Sequence, residues 1–347
     1  MATRSNSFKR ALPGTEVATI FANEIDCAVR ELKSGGVIAF PTETVYGLGA
    51  DASNPDAIGK IFTIKGRPAD HPLIVHIRDA TQLSKWSDDV PDAAYRLAER
   101  FWPGPLTLIL PHSKAPLAVT GGQRSIGLRA PRHPIAQNLL EAFGGGIAAP
   151  SANRFGRISP TQAVHVREEL GDRVDIILEG GDCEVGLEST ILSLATEIPC
   201  LLRPGAITRS ELESVLGQRI LGRERSEGIR ASGLLESHYA PRTRLRLSTP
   251  ATLEAMIAEN PQKTALITLK GAPSYGVAQQ VSLSRDPAEY GNRLYATLRS
   301  LDSGRFDLIV AETPPTEEAW AAVHDRLCRA SHDSSSSNAV TGPHHDA

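Results

Sequence analysis

Short apolar runs recur along the first two thirds of the chain, at Val37–Phe40, Leu73–Ile77, Leu106–Leu110, Ser125–Arg129, Ile147–Ala149, Asp175–Leu178 and Thr190–Leu194. Each has the length of a buried strand and falls short of a helix. Helical patterns lie between several of them, near 91–101, 134–142, 161–170 and 208–216. Asn54-Pro55-Asp56 reads as an N-cap followed by proline at the first helical position, opening a helix to about Ile64. An earlier stripe of Ala22, Ile25, Val29 and Leu32 stops at Gly35-Gly36. Strands alternating with helices imply an α/β domain with an open, twisted mixed sheet, here over residues 19–216.

The pattern then changes. Residues 217–245 are rich in Arg, Glu, Gly and Ser and hold no sustained apolar period, so they read as a connector. Within it, Ser237-His238-Tyr239-Ala240-Pro241 is too particular for a spacer. A smaller α/β domain follows over 246–330, with strands at Thr264–Leu269 and Asp307–Ala311. Its helices carry Tyr290, Leu294, Leu298 and Leu301, then Ala319–Ala330. Residues 1–18 are expected to be a flexible terminus. Residues 331–347, with a four-serine run and His344-His345, are expected to be a disordered tail.

A chain of 347 residues can bury two cores. Its net charge of −3 argues against a broad electrostatic grip on a polyanion, so stable nucleic-acid binding is not expected. No apolar run is long enough to span a bilayer, and the start lacks the apolar core of a secretory signal. Cys27, Cys183, Cys200 and Cys328 are scattered without a C-x-x-C pair. That spacing argues against a zinc knuckle or a disulfide framework and for a reducing compartment, the cytoplasm.

The chain carries no P-loop, no G-x-G-x-x-G, no H-E-x-x-H and no G-x-S-x-G. Without an obvious nucleophile, it suits the joining of two bound substrates by positioning and charge neutralisation. Lys65 and Arg67 could serve a phosphate, or be a basic helix end favoured by the dipole. His76 lies in a strand, where a core histidine is the plain alternative; His71 could contact a phosphate or close a turn. Alternation puts Ser125, Gly127 and Arg129 on one face, and Arg129 suits either a bound carboxylate or a structural salt bridge. Ala149-Pro150-Ser151-Ala152-Asn153 and Ser159-Pro160-Thr161 form a hydroxyl-rich loop that could donate to phosphates or merely cap a helix. Glu188-Ser189-Thr190-Ile191 and Leu202-Arg203-Pro204-Gly205 add hydroxyls and a cation at strand ends.

Taken together, FPTETVYGL (40–48), KGRP (65–68), HPLIVHI (71–77), WPGPLTLIL (102–110), PSAN, SPT, ESTI, LRPG, SHYAP and the DRL-C-RA ending resemble the threonylcarbamoyl-AMP synthase family, in its two-domain Sua5 form. The resemblance spans about residues 20–330. It implies a YrdC-like catalytic domain with a large cavity, and a Rossmann-like second domain whose linker closes over the nucleotide. It further implies a nucleotidyltransferase that condenses L-threonine, bicarbonate or CO2, and ATP into L-threonylcarbamoyl-AMP and pyrophosphate, for threonylcarbamoyladenosine in tRNA. By that resemblance Thr44, His76, Arg129, Ala149 and Ser189 would hold threonine. Lys65, Arg67, His71, Ser125, Ser151, Asn153, Ser159, Arg203 and Tyr239 would surround ATP, with Lys65 and Arg67 catalytic. Mg2+ would accompany ATP, without a protein metal site, and tRNA-modifying threonylcarbamoyl-transfer proteins would be transient partners.

The resemblance would also lead one to expect asparagine where this chain has His71, and a further proline after Pro241, where it reads Arg242-Thr243-Arg244. Three rival readings remain at this stage. An RNA-binding module is disfavoured by the acidic balance and by missing RNP aromatics. A carbamoyl-adenylate enzyme of the hydrogenase-maturation type would want zinc-finger cysteines. A nucleotide sensor would bind ATP without needing threonine.

Overall fold

The structure, a computed structural model, describes residues 13–332 except Glu227, Glu236 and Ser237, with side chains from Asn23 onward. Residues 1–12 and 333–347, including the histidine pair and all but the first two residues of the expected tail, lie outside the described residues, as does Ser237 of the SHYAP phrase.

Ten strands make the first sheet: β1 (Ile38–Phe40), β2 (Gly47–Asp51), β3 (Ile74–His76), β4 (Leu106–Leu110), β5 (Ile126–Arg129), β6 (Ile147–Ala148), β7 (Ile176–Ile177), β8 (Thr190–Ser193), β9 (Cys200–Arg203) and β10 (Leu221–Gly222). Their order is β10-β9-β8-β4-β5-β3-β6-β2-β1-β7. Parallel pairs such as β3–β5 and β4–β8 sit beside antiparallel ones such as β4–β5 and β2–β6, so the sheet is mixed.

The helix Pro55–Lys65 shows why the local sequence folds as it does. The Asn54 side chain accepts from the Asp56 and Ala57 amides, Pro55 supplies a preset φ, and Gly66 closes the last turn at φ 63°. Ala57, Ile58, Ile61 and Phe62 fall on one stripe and are buried, each large apolar side chain contributing about 1.5–3 kcal/mol. The same register delivers Lys65 to the buried side of the last turn.

The second sheet holds β11 (Arg244–Ser248), β12 (Thr264–Leu269), β13 (Gln279–Leu283) and β14 (Leu308–Glu312), in the order β11-β14-β12-β13, parallel throughout. Alternation along its strands feeds two cores. Ala265, Ile267, Ile309 and Ala311 pack with Leu294 and Leu298 of the helix Pro287–Asp302 and with Leu327 of the helix Ala321–Ser331. Leu266 and Val310 face the other way, onto Leu253 and Ile257 of the helix Pro250–Ala258. A parallel sheet covered on both faces is the Rossmann-like arrangement.

Segments read as irregular are among the departures from the sequence reading: Ser331, assigned to the tail, ends the last helix. The first helix runs Pro13–Lys33, starting ahead of the stripe read from Ala22 and inside the stretch read as flexible. The connector is not wholly irregular: Leu221–Gly222 pairs parallel with β9, and β11 already begins at Arg244.

The two sheets share a seam. Val45, Ile158 and Leu187 of the first unit belong to the core of the second. Ion pairs cross it from Arg157 to Asp302 at 2.9 Å, from Arg299 to Glu169 at 3.2 Å and from Arg326 to Glu188 at 2.7 Å.

Candidate active site

β1 ends at Phe40 and the chain turns at Pro41 into Thr42-Glu43-Thr44, all buried. Thr42 Oγ1 donates to the Val45 carbonyl at 2.6 Å and lies 2.8 Å from Thr44 Oγ1, which fixes the turn. Opposite stands Arg129 at the end of β5. Its Nη2 pairs with Glu43 Oε1 at 2.8 Å, its Nη1 donates to Thr44 Oγ1 at 2.8 Å, and its Nε donates to the Gly104 carbonyl at 3.2 Å. Parallel pairing of β3 with β5 puts His76 beside Arg129. Burial, helped by the Arg129 charge, lowers the His76 pKa to about 3, so this imidazole is neutral. Ser189, at the start of β8, holds Thr107 Oγ1 at 2.7 Å.

A cationic wall faces this polar end. Lys65 Nζ donates to the carbonyls of Ser151 and Asn153. Burial first, and then the neighbouring Arg67 charge, hold its pKa well below the ordinary lysine value. Arg67 donates from Nη2 to the Pro72 carbonyl at 3.0 Å and lies 5.6 Å from the Phe155 ring; burial lowers its pKa to about 10. Arg203, at the end of β9, donates to the Ser189 carbonyl at 3.0 Å and to the Ser232 carbonyl at 2.9 Å. Three buried cations converge on one space.

The connector fills that space. His238 and Tyr239 meet edge to face at 4.1 Å between ring centroids, and Tyr239 takes φ 64°, unusual for a residue other than glycine. Gly233 makes room for it, because a Cβ there would come within 2.1 Å of the Tyr239 hydroxyl. That hydroxyl is buried with no hydrogen-bond partner among the described residues, and so is Arg67 Nε. Burial, with Glu188 nearby, raises the Tyr239 pKa to about 12. Burial and the surrounding Arg67, Lys65, Arg203 and Arg326 charges keep His238 neutral. The remaining cavity is about 40 Å³, room for a few water molecules rather than a nucleotide.

Comparison with known proteins bears on this site. Residues 30–205 match a family described as "Telomere recombination", and residues 207–332 match "Threonylcarbamoyl-AMP synthase, C-terminal domain". The threonylcarbamoyl-AMP synthase of Bacillus subtilis is 40% identical over 320 residues, covering 88% of this chain and 92% of its own length. The chain belongs to the threonylcarbamoyl-AMP synthase family. A solved structure of Pyrococcus abyssi Sua5 complexed with L-threonine superposes with a TM-score of 0.83 at 39% identity, covering 88% of this chain and 94% of that one. A shorter family member, from Vibrio vulnificus, is 38% identical over 180 residues, covering 51% of this chain and 96% of its own.

Within this family member, Thr44, His76, Arg129, Ala149, Ser151, Ser189, Arg203 and Tyr239 line the central cavity. Lys65, Arg67 and Asn153 lie immediately behind it; Asn153 Nδ2 donates to the Arg157 carbonyl at 2.9 Å. Ser125 opens instead on a small side recess with Arg230 and Ser232, and His71 on a separate cavity of about 300 Å³. Ser159 is fully buried and donates to Glu188 Oε1 at 2.5 Å, so its hydroxyl serves the protein rather than the cavity.

Sequence reading overlooked Glu43 and Glu188, although both stand inside quoted phrases, and gave no role to Arg326. The signal was an acid buried between hydroxyls, which demands a cation. Glu188 receives Tyr295 Oη at 2.9 Å and Arg326 Nε at 2.7 Å. Burial alone would raise its pKa, but Arg326 and Arg203 outweigh it and hold the carboxylate charged. No cluster of three or more His, Cys, Asp or Glu side chains among the described residues is placed to hold a metal. No described helix is long and apolar enough to cross a membrane.

Proposed function

We propose that this site makes L-threonylcarbamoyl-AMP, with threonine held at Thr44, Arg129 and Ser189 and the nucleotide held along Lys65, Arg67 and Arg203. The observation that carries the assignment is one cavity lined by Thr44 and Arg129 at one end and by Arg203 and His238 at the other, with the Lys65 and Arg67 charges acting on His238 from behind it. Arg129 has five N–H donors; Gly104 and Thr44 take two of them, and Nη2 meets Glu43 as an ion pair without a hydrogen bond. The second N–H of Nη1 and the N–H groups of Nη2 are left for the threonine carboxylate. His76, being neutral, adds no competing charge beside the substrate amine.

The threonine nitrogen attacks the carbon of CO2 and loses a proton, giving a carbamate. A carbamate oxygen then attacks the α-phosphorus, and the bond to the departing pyrophosphate breaks with its electron pair. Lys65, Arg67 and Arg203 balance charge spreading over the phosphate oxygens, in surroundings where burial strengthens each interaction. The unpartnered Tyr239 hydroxyl and Arg67 Nε are groups that a nucleotide would satisfy. Among the described residues no metal cage is built, and Mg2+ is proposed to enter with ATP on phosphate oxygens and water. Protein partners are proposed to be transient acceptors of the labile product, and no protein–RNA complex is required.

Pyrophosphate release from MgATP, with and without L-threonine and bicarbonate, tests the reading. Release is expected to need both, and Lys65→Ala to lower it by about 10²–10³-fold. Release indifferent to threonine, or unaffected by Lys65→Ala, overturns it.

A further inference from the structure

The loop between Gly181 and β8 is held from both sides. On one side the second unit clasps it: Asn292 Nδ2 donates to the carbonyls of Cys183 at 2.8 Å and Glu184 at 2.9 Å. Gly186, at φ 74°, lies so close that a Cβ would come within 2.6 Å of the Asn292 backbone. Leu187 enters the second unit's core. On the other side, the Val185 amide donates to the Glu43 carbonyl at 2.7 Å, and Glu43 is the partner of Arg129.

Glu188 closes this loop and directly precedes Ser189. Arg326, with no exposed surface, meets it through Nε to Oε2 at 2.7 Å and Nη2 to the backbone carbonyl at 3.3 Å. The same guanidinium donates from Nη1 to the Pro204 carbonyl at 3.1 Å and lies 5.4 Å from the Tyr239 ring. It thus grips the residues preceding Ser189 and following Arg203, and supports the aromatic ring in the cavity. Arg326 itself does not line that cavity. A well-packed apolar pair is often at least as stable as a buried ion pair, so stability alone is a weak reason for this one.

We propose that Arg326 is a positioning residue: through Glu188 the second unit sets the alignment of Ser189, Arg203 and Tyr239, and with it the affinity for threonine and nucleotide. The inference rests on the site reading above and assigns the second unit a part in substrate binding.

Arg326→Lys tests it, because one ammonium cannot reproduce a planar fork that meets Glu188 twice and Pro204 once. Losing a charge-assisted hydrogen bond from the aligned state should raise KM for ATP and threonine by about tenfold, with kcat changed by less than about threefold. Tyr295→Phe, which removes one hydrogen bond and keeps the ring, should raise both KM values by about threefold in a protein that still folds. Asp302→Asn breaks the Arg157 pair at the same seam and should leave both KM values unchanged. Calorimetric titration with L-threonine should show the same ranking without turnover.

A merely structural role lowers the folded fraction, which reduces kcat and leaves KM alone. That pattern in Arg326→Lys and Tyr295→Phe, or KM values within about twofold of the parent in both, overturns the proposal. Failure of the site reading shows separately, as parent enzyme whose pyrophosphate release ignores threonine.

Discussion

The two sheets solve the same packing problem with opposite consequences for chemistry. The second is built from parallel strands of five or six residues, and every residue of β12 is buried. Among its described residues the buried charge is Arg326, directed at the other unit. The first sheet mixes directions and uses strands as short as two or three residues: β1, β3, β6 and β7. Short strands end early, and the ends of β3 and β6 bring His76 and Ala149 into one cavity with Arg129 and Arg203 at the ends of β5 and β9. Regularity serves the core, and early termination serves the site.

Arg129→Met should break this contrast most severely. It leaves Glu43 buried without its cation, which costs about 3–5 kcal/mol, and abolishes threonine-dependent pyrophosphate release. Urea unfolding beside an activity assay measures both. Leu294→Ala should give the opposite profile: a cavity in the second core costing about 2–5 kcal/mol, with residual activity tracking the folded fraction. Unfolding that damaged only one sheet would show the seam to be weaker than its buried pairs imply.

A milder effect follows from His76. Its pKa is about 3 in the folded protein and 6.5 ordinarily, so between those values the unfolded chain binds the extra proton. Stability must therefore fall as pH drops below the ordinary value, by about 2 kcal/mol between pH 7 and pH 5 from this residue alone. His76→Gln should flatten that slope in denaturant titrations at the two pH values. The smallest effect belongs to Asp88→Ala, which removes a largely exposed pair with Lys114 and should change stability by about 0.5 kcal/mol or less.

Much of this arrangement was legible from sequence, unevenly. β4 was read to the residue, because Leu-Thr-Leu-Ile-Leu is apolar and bounded by prolines. β2 was missed: Gly-Leu-Gly-Ala-Asp has neither β-branched residues nor alternation, and it is a strand because β1 and β6 flank it. Its glycines are needed where a Cβ at Gly49 would come within 2.8 Å of Phe40 and Ile147. β13 was missed for want of an apolar pattern in Gln-Gln-Val-Ser-Leu. Within the site, motif phrases gathered Thr44, Ser189 and Tyr239, and strand alternation pointed to Arg129, but neither showed the pairing of Glu188 with Arg326. That contact spans 138 positions, and only the docking of two folded units brings its members together.

The seam has one further consequence. Were the two units separate proteins, forming the seam of ion pairs, Asn292 and Tyr295 hydrogen bonds and shared apolar side chains would cost translational and rotational freedom. Here the connector makes the encounter intramolecular, at an effective concentration in the millimolar range for a short flexible tether. The seam is thereby kept without that cost, and Arg326 stays at its post in every copy of the chain and at any dilution.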